Sequence, residues 1–229
     1  MAGTAIFDLD RTVTRAPTWT RFLIFVGGRR PGFWLRMIMV AGVAVGWRLG
    51  LARRDRIKAE ALKTLRGIGR ATLEARAADF VARELATNIR PGARAAIAHH
   101  RARGDRLILA TAAADLIADP LAAALGFHEV IATRLDWTAS SGPQLDGANC
   151  YGAEKRRRIA EARALRPFAA PVHAYSDHLS DLDMLVAADH GFAVNPSSGL
   201  ARAAPVHGIA IVDFEALPQP VSDPTEQPS

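Results

Sequence analysis

The apolar run Ala5-Ile6-Phe7, leading into Asp8-Leu9-Asp10, constrains this chain more than any other feature. A buried strand ending in two carboxylates delivers acid groups to its carboxyl edge. In an open α/β sheet, ligands bind outside that edge. Two neighbouring carboxylates repel each other and need a cation or a shared proton to persist. A hard divalent ion with oxygen ligands suits them, and Mg²⁺ is the expected cofactor. One carboxylate can then attack phosphorus while the other carries protons.

The rest of the chain supplies the sheet. Its 229 residues suffice for one domain with its own core plus an insertion. The composition, 49% apolar and 23% charged, is an ordinary globular balance. Ala5 to Leu9 reads as the first strand, and residues 17 to 88 read mainly as helices, broken at Gly27-Gly28 and Arg30-Pro31-Gly32. Pro91-Gly92 opens a helix through Arg103, which Gly104 ends. Strands are expected over Arg106 to Ala110, Phe127 to Thr133, Val172 to Ser176, Phe192 to Val194 and Ile209 to Val212. Helices are expected around Ala113 to Leu125, Tyr151 to Leu165 and Leu179 to Ala188, with a hairpin excursion from Trp137 to Cys150. This alternation predicts an α/β fold whose parallel sheet is covered on both faces.

Three further segments fit the opening strand. Thr111 follows the apolar run Leu107 to Ala110, which places a hydroxyl at a strand end just before a helix. Lys155 lies early on a helix and can reach a phosphoryl group as a point charge. Asp177 and Asp181 again follow a strand. Together with Asp8 and Asp10, and with Ala193-Val194-Asn195-Pro196 after the last of them, these segments resemble the haloacid dehalogenase superfamily of phosphohydrolases. The likeness falls in subfamily IB, the phosphoserine-phosphatase-like branch.

That resemblance implies a Rossmann-like three-layer core of residues 1–14 and 89–217, with a helical cap, residues 15–88, inserted after the first strand. It implies Asp8 as nucleophile and Asp10 as acid and base. It implies Mg²⁺ held by Asp8, the Asp10 main-chain carbonyl and Asp177, with Asp181 orienting the site from behind. Thr111 and Lys155 would steady the phosphoryl oxygens. An acid at Asp10 favours phosphate ester hydrolysis, because a departing halide needs no proton.

Each residue also has an ordinary reading. Asp8 and Asp10 would serve to end a strand and cap a helix. Thr111 would serve in a turn. Lys155 belongs to the run Lys155-Arg156-Arg157-Arg158, and such runs usually form solvated faces. Asp181 and Asp183 would suit a first helical turn. The joint occurrence in one order favours catalysis. His178 is expected to line the mouth of the site, and His99-His100 is assigned no role.

The charge is uneven. From Arg15 to Arg76 fourteen basic residues face Asp55, Glu60 and Glu74, a balance of +11; the net charge of +6 leaves −5 elsewhere. A basic segment of this kind calls for an anionic partner. Nucleic acid fits poorly, because the arginines are interleaved with large aliphatics and not with a stacking platform.

Met37 to Trp47 is an uninterrupted apolar run, as a helix roughly 16 Å long against a hydrocarbon core of ~30 Å. Extended over Phe33 to Leu51, with Arg36 and Arg48 snorkelling, it reaches about 29 Å. A single crossing would separate Asp8 from Thr111 and Asp177, which must meet. The helix then lies in a membrane interface, or dips and returns with Trp19 to Val26 as its other arm. Trp19, Trp34 and Trp47 with the nearby arginines suit an anionic interface, and Gly42, Gly46 and Gly50 offer a close-packing face. The competing expectation is a soluble cap that buries this helix.

Phosphoserine phosphatases of the family carry a cap glutamate where this chain has Pro17, which argues against free phosphoserine. The layout is similar to that of phosphatidylglycerophosphate phosphatases of the same branch, and Arg11 stands where the family commonly has glycine. A small phosphomonoester and a lipid phosphate stay open as substrates, as does a phosphate-binding module with little catalysis. Cys150 is the only cysteine, which excludes an intrachain disulfide. The first residues read as strand and not as a secretory signal. A cytoplasmic location is therefore expected, free or peripheral at the inner membrane face. Residues 218–229, rich in proline, read as a disordered tail.

Overall fold

The computed structural model describes residues 2–51, 54–139 and 141–216, so the proline-rich segment 218–229 lies outside the described residues. The strands are β1 (Thr4–Phe7), β2 (Arg106–Ala114), β3 (Glu129–Asp136), β4 (Gln144–Asp146), β5 (Val172–Ser176), β6 (His190–Val194) and β7 (Ala210–Val212). They form one sheet in the order β4-β3-β2-β1-β5-β6-β7. All pairs are parallel except β3 with β4, which closes the excursion expected after Trp137.

β1 is central because every residue in it is buried. Side chains alternate across it. Ala5 and Phe7 join Leu107, Leu109, Tyr175 and Phe192 on one face, while Ile6 joins Ile108, Ala110, Ala174 and Ala193 on the other. Helices cover both faces: α5 (Pro91–Ala102) supplies Ala93, Ala96 and Ile97 to the first, and α8 (Leu182–Val186) supplies Met184 and Leu185 to the second. The chain runs outward from β1 to β2 and β3, then returns past β1 to β5. The carboxyl end of β1 is therefore the switch point where an open sheet forms its crevice.

The sequence placed Thr111 at a strand end, but β2 continues to Ala114. The pairing moves from Ala110↔Ile131 to Ala114↔Thr133, so β2 carries extra residues that a bulge takes out of the ladder. Such a bulge re-aims side chains inside a strand. The helix expected around Ala113 to Leu125 is α6 (Asp115–Leu125), and the one expected from Leu179 begins as a tight turn and becomes α8 only at Leu182. A short helix, α9 (Ser198–Ala203), had no clear periodic signal.

Between β1 and β2 lie α1 (Thr18–Gly27), α2 (Phe33–Arg48), α3 (Arg54–Leu62) and α4 (Arg70–Thr87), ahead of α5. The α1–α2 break falls where Gly27, Gly28 and Gly32 predicted it. Gly32 has φ 74°, a left-handed conformation that suits glycine. α1 buries Phe22 and Leu23, and Phe22 meets Phe80 of α4 with ring centroids 5.4 Å apart. That burial removes α1 as the second arm of a membrane hairpin. Trp19, expected at an interface, instead packs on Phe22 and sits beneath Lys58, 5.0 Å from the ring centroid.

On the face of the sheet that carries Ala5 and Phe7, aromatic rings tie β1, β5 and β6 together. Phe7 and Tyr175 stack at 4.3 Å, and Tyr175 and Phe192 at 4.8 Å. His100 of α5, given no role from sequence, joins this layer. A neutral ring donating from Nδ1 to Asp105 Oδ2 (2.7 Å) and accepting at Nε2 from the Tyr175 hydroxyl (3.0 Å) satisfies both nitrogens. Asp105 also accepts from the Gly3 N–H at 2.6 Å.

Burial, opposed by Asp105 and reinforced by His173, lowers the His100 pKa to about 4. The unfolded chain therefore takes up this proton first as pH falls. The contribution of His100 is fully present above about pH 6.5 and is lost by about pH 4, a change of roughly 3 kcal/mol. Urea unfolding of wild type and His100→Gln at about pH 7.5 and 4.5 should show a shallower pH dependence in the variant. Equal dependence would mean that His100 does not titrate between folded and unfolded states.

Candidate active site

The chain leaves β1 at Asp8 in extended backbone and then makes one wide turn, in which the Thr14 N–H donates to the Leu9 carbonyl at 2.9 Å. This turn swings Asp10 back beside Asp8. Asp8, Asp10, Thr111, Lys155, Asp177 and Asp181 all line one cavity of about 320 Å³, together with Arg11, Pro17, Ala112, Tyr151, His178 and Ser180. The six residues singled out in the sequence are thus brought together. A larger cavity near Arg106 and Arg166 lies away from them.

Lys155 organises the floor. It stands in the first turn of α7 (Ala153–Leu165), buried, and its Nζ donates to Asp8 Oδ1 and Asp181 Oδ2, both at 2.7 Å. Ser176, the last residue of β5, donates its hydroxyl to the same Asp181 oxygen at 2.8 Å. Thr12 donates to Asp8 Oδ2 at 3.2 Å. Asp10 is held differently: the Thr18 N–H and hydroxyl both donate to its Oδ1 at 2.8 Å, which ties the site to the start of α1. The Thr111 hydroxyl accepts from the Ala113 N–H at 3.0 Å, which leaves its own proton to donate.

The electrostatics follow from burial. Removal from water, with Asp181 and Asp177 nearby, raises the Asp8 pKa to about 7 against the pull of Lys155. Burial and Asp181 raise Asp177 to about 6, against Arg11 and Lys155. Burial raises Asp10 as well, opposed by its two bonds from Thr18. For Lys155 burial favours the neutral amine, but Asp181 and Asp8 outweigh it and hold the pKa above its usual value.

The donor set fits a hard cation. Asp181 Oδ1 is buried with no hydrogen-bond partner among the described residues. The carboxylates of Asp8 and Asp177 line the same cavity, and both are pushed toward protonation by burial, with neighbouring carboxylates adding to it. Among the described residues no three acidic, His or Cys side chains form a closed cage. Two carboxylates and a main-chain carbonyl suit Mg²⁺, which keeps several waters.

Several neighbours escaped the sequence reading. Thr12, Thr18 and Ser176 are hydroxyl residues whose position beside an acid only the fold reveals. Lys58 of α3 is buried, and its Nζ donates to the Ala112 carbonyl next to Thr111, so the inserted helices reach the rim of the cavity. His178 lines the mouth as expected, with Nδ1 3.0 Å from the Ser180 hydroxyl. Asp183 proves to be the ordinary surface acid of the pair, bonded to exposed Arg156 at 2.6 Å.

An open α/β sheet with clustered carboxylates at its switch point defines a class of hydrolytic enzymes. The chain belongs to the haloacid dehalogenase-like hydrolase family, whose profile matches residues 5–186. It is similar to protein CicA of Caulobacter vibrioides, with 33% identity over 188 residues that cover 80% of this chain and 82% of that protein. A Bordetella pertussis protein of unknown function has the same fold, with TM-score 0.82 and 24% identity over 93% of this chain and 99% of that one. A substrate-bound phosphoserine phosphatase superposes with TM-score 0.63 and 14% identity, covering 92% of this chain and 93% of its own.

Lys155→Met should destabilise the fold by about 3–5 kcal/mol near pH 8, because it strands two buried carboxylates. The loss should shrink near pH 5, where Asp8 is protonated. Urea denaturation at the two pH values checks this; a loss independent of pH would contradict the charge argument.

Proposed function

We propose that the protein is a Mg²⁺-dependent phosphomonoesterase working through an aspartyl-phosphate on Asp8. The observation that carries this reading is the convergence of Asp8, Asp10, Thr111, Lys155, Asp177 and Asp181 on one cavity. An Asp8 carboxylate oxygen attacks phosphorus as the bond to the ester oxygen breaks, and Asp10 gives its proton to that oxygen. Its raised pKa suits a carboxyl that holds a proton before the step. Asp10 then takes a proton from the water that attacks phosphorus, which frees phosphate and restores Asp8. Thr111 and Lys155 face the equatorial oxygens, where the transferred charge is spread. Asp8, Asp177 and the Asp10 carbonyl hold the ion, and Asp181 steadies Lys155. When bound, Mg²⁺ neutralises charge shared by the carboxylates and the phosphoryl group.

Residues 15–88 act as the cap over this core, and the substrate lies near an anionic membrane surface. α2 supports this reading: within it Phe33 alone is buried, while Leu35 and Ile38 are each 67% exposed and Trp34 57%. Met37 and Val40 of the same helix pack toward the core, so it presents its apolar residues to both sides. Arg29, Arg36 and Arg48 flank or punctuate the apolar surface, as anionic headgroups require. No helix among the described residues is long and apolar enough to cross a membrane.

Asp8→Asn should lower turnover of an aryl phosphate by at least about 10³-fold while the protein stays folded, as judged by its melting transition. Retained turnover would refute Asp8 as nucleophile. Added Mg²⁺ should raise the melting temperature more at about pH 8 than at pH 5, where protons compete for Asp8 and Asp177. A shift that does not grow with pH would remove both as ligands. For the membrane, wild type should float with vesicles rich in an anionic phospholipid, and Leu35→Ser with Ile38→Ser should stay in solution. Equal flotation would place the contact elsewhere.

A further inference from the structure

Arg11 is one of two non-glycine residues among those described with positive φ, at 68°. Side chains other than glycine resist this conformation, and such strain marks functional positions when the surroundings enforce it. The surroundings do enforce it. Arg90 Nε donates to the Arg11 carbonyl at 3.1 Å, and the Arg11 N–H donates to Thr14 Oγ1 at 3.3 Å. Both anchors hold the backbone, and neither requires an arginine side chain. Glycine would fit the turn better.

The side chain is what glycine would lack. Arg11 lines the catalytic cavity and is exposed at its mouth. The other cations there have partners: Lys155 is bonded to Asp8 and Asp181, and Lys58 to the Ala112 carbonyl. The Arg11 guanidinium forms no ion pair and no side-chain hydrogen bond among the described residues, although its charge is felt at Asp177. A guanidinium with no ion pair among the described residues, carried on this anchored turn beside the cavity, matches a planar anion in two-pronged fashion.

We propose that Arg11 is a specificity-determining residue that binds a second anionic group, a carboxylate or phosphodiester, on the alcohol portion of the phosphomonoester. This rests on the phosphatase reading of the same cavity. Phosphorus is transferred at Asp8, and Arg11 holds the far end of the substrate without touching the reacting atoms. Tyr151 and His178, with the phenolic oxygen 3.4 Å from Nδ1, form the rim beside this end. The cavity of about 320 Å³ has room for a phosphoryl group and a small charged head.

The test compares kcat/KM for three soluble esters with Mg²⁺ present. Glycerol 3-phosphate has a neutral alcohol, 3-phosphoglycerate places a carboxylate on the same skeleton, and glycerophosphoglycerol phosphate carries a phosphodiester. Wild type should prefer one or both of the doubly anionic esters by tenfold or more, and the arm that shows the preference identifies the anion. Arg11→Gly should lose that preference, chiefly through KM, while melting at or above the wild-type temperature because the strained residue is gone. Arg11→Lys should keep part of it. Equal rates for all three esters in wild type, or an Arg11→Gly change of the same factor for each, would overturn the assignment and leave the phosphatase intact. Hydrolysis of none of them by wild type would sink the phosphatase reading, and this one with it.

Discussion

The structure depends on one buried cation between two buried acids. Lys155 bonds Asp8 and Asp181 at equal distances, and these three residues come from β1, α7 and the turn after β5. Buried charges persist only when they are paired and hydrogen-bonded. The bridge therefore fixes where the carboxyl ends of β1 and β5 lie relative to α7. It also sets the charge balance of the cavity. One ammonium faces Asp8, Asp177 and Asp181 together, and burial, with Asp181 nearby, pushes Asp8 and Asp177 toward their protonated forms. A site assembled this way is incomplete in charge. It is suited to acquire cationic density when substrate arrives.

The parts of this arrangement legible in the sequence were those with strong local signals. Ile6 and Phe7 announced a buried strand, and its end fixed the position of Asp8. Val172 to Ser176 did the same for Asp177. Thr111 was placed at the site correctly but for an incomplete reason, since a bulge inside β2, not a strand end, takes it out of the ladder. Bulges leave no periodic trace in an apolar run such as Leu107 to Ala114. The supporting hydroxyls of Thr12, Thr18 and Ser176 were illegible for a related reason. Short polar residues beside acids look like ordinary turn chemistry until the fold shows which acid each one meets.

His100 shows a second limit of the sequence. A histidine on an amphipathic helix carries no sign of its partners, which here lie at Asp105, five residues on, and on β5. It closes a polar chain that runs from the Tyr175 hydroxyl through Asp105 to the Gly3 N–H at the amino end of β1. The two ends of β1 are thus secured differently. One has a neutral histidine with an acid and a phenol, and the other has an ammonium shared by two carboxylates.

The inserted helices face two ways, and this bears on how substrate could be presented. α1 and α4 bury their apolar sides against each other, and Thr18 and Lys58 bond Asp10 and the Ala112 carbonyl at the rim of the cavity. α2 does the opposite and turns large aliphatic side chains outward. A helix apolar around most of its circumference gains little stability from a one-sided contact, so its outward residues call for a second environment. The same insertion that holds Asp10 through Thr18 therefore carries the exposed apolar surface. A contact at α2 would thus fall in the same run of helices that anchors Asp10 through Thr18.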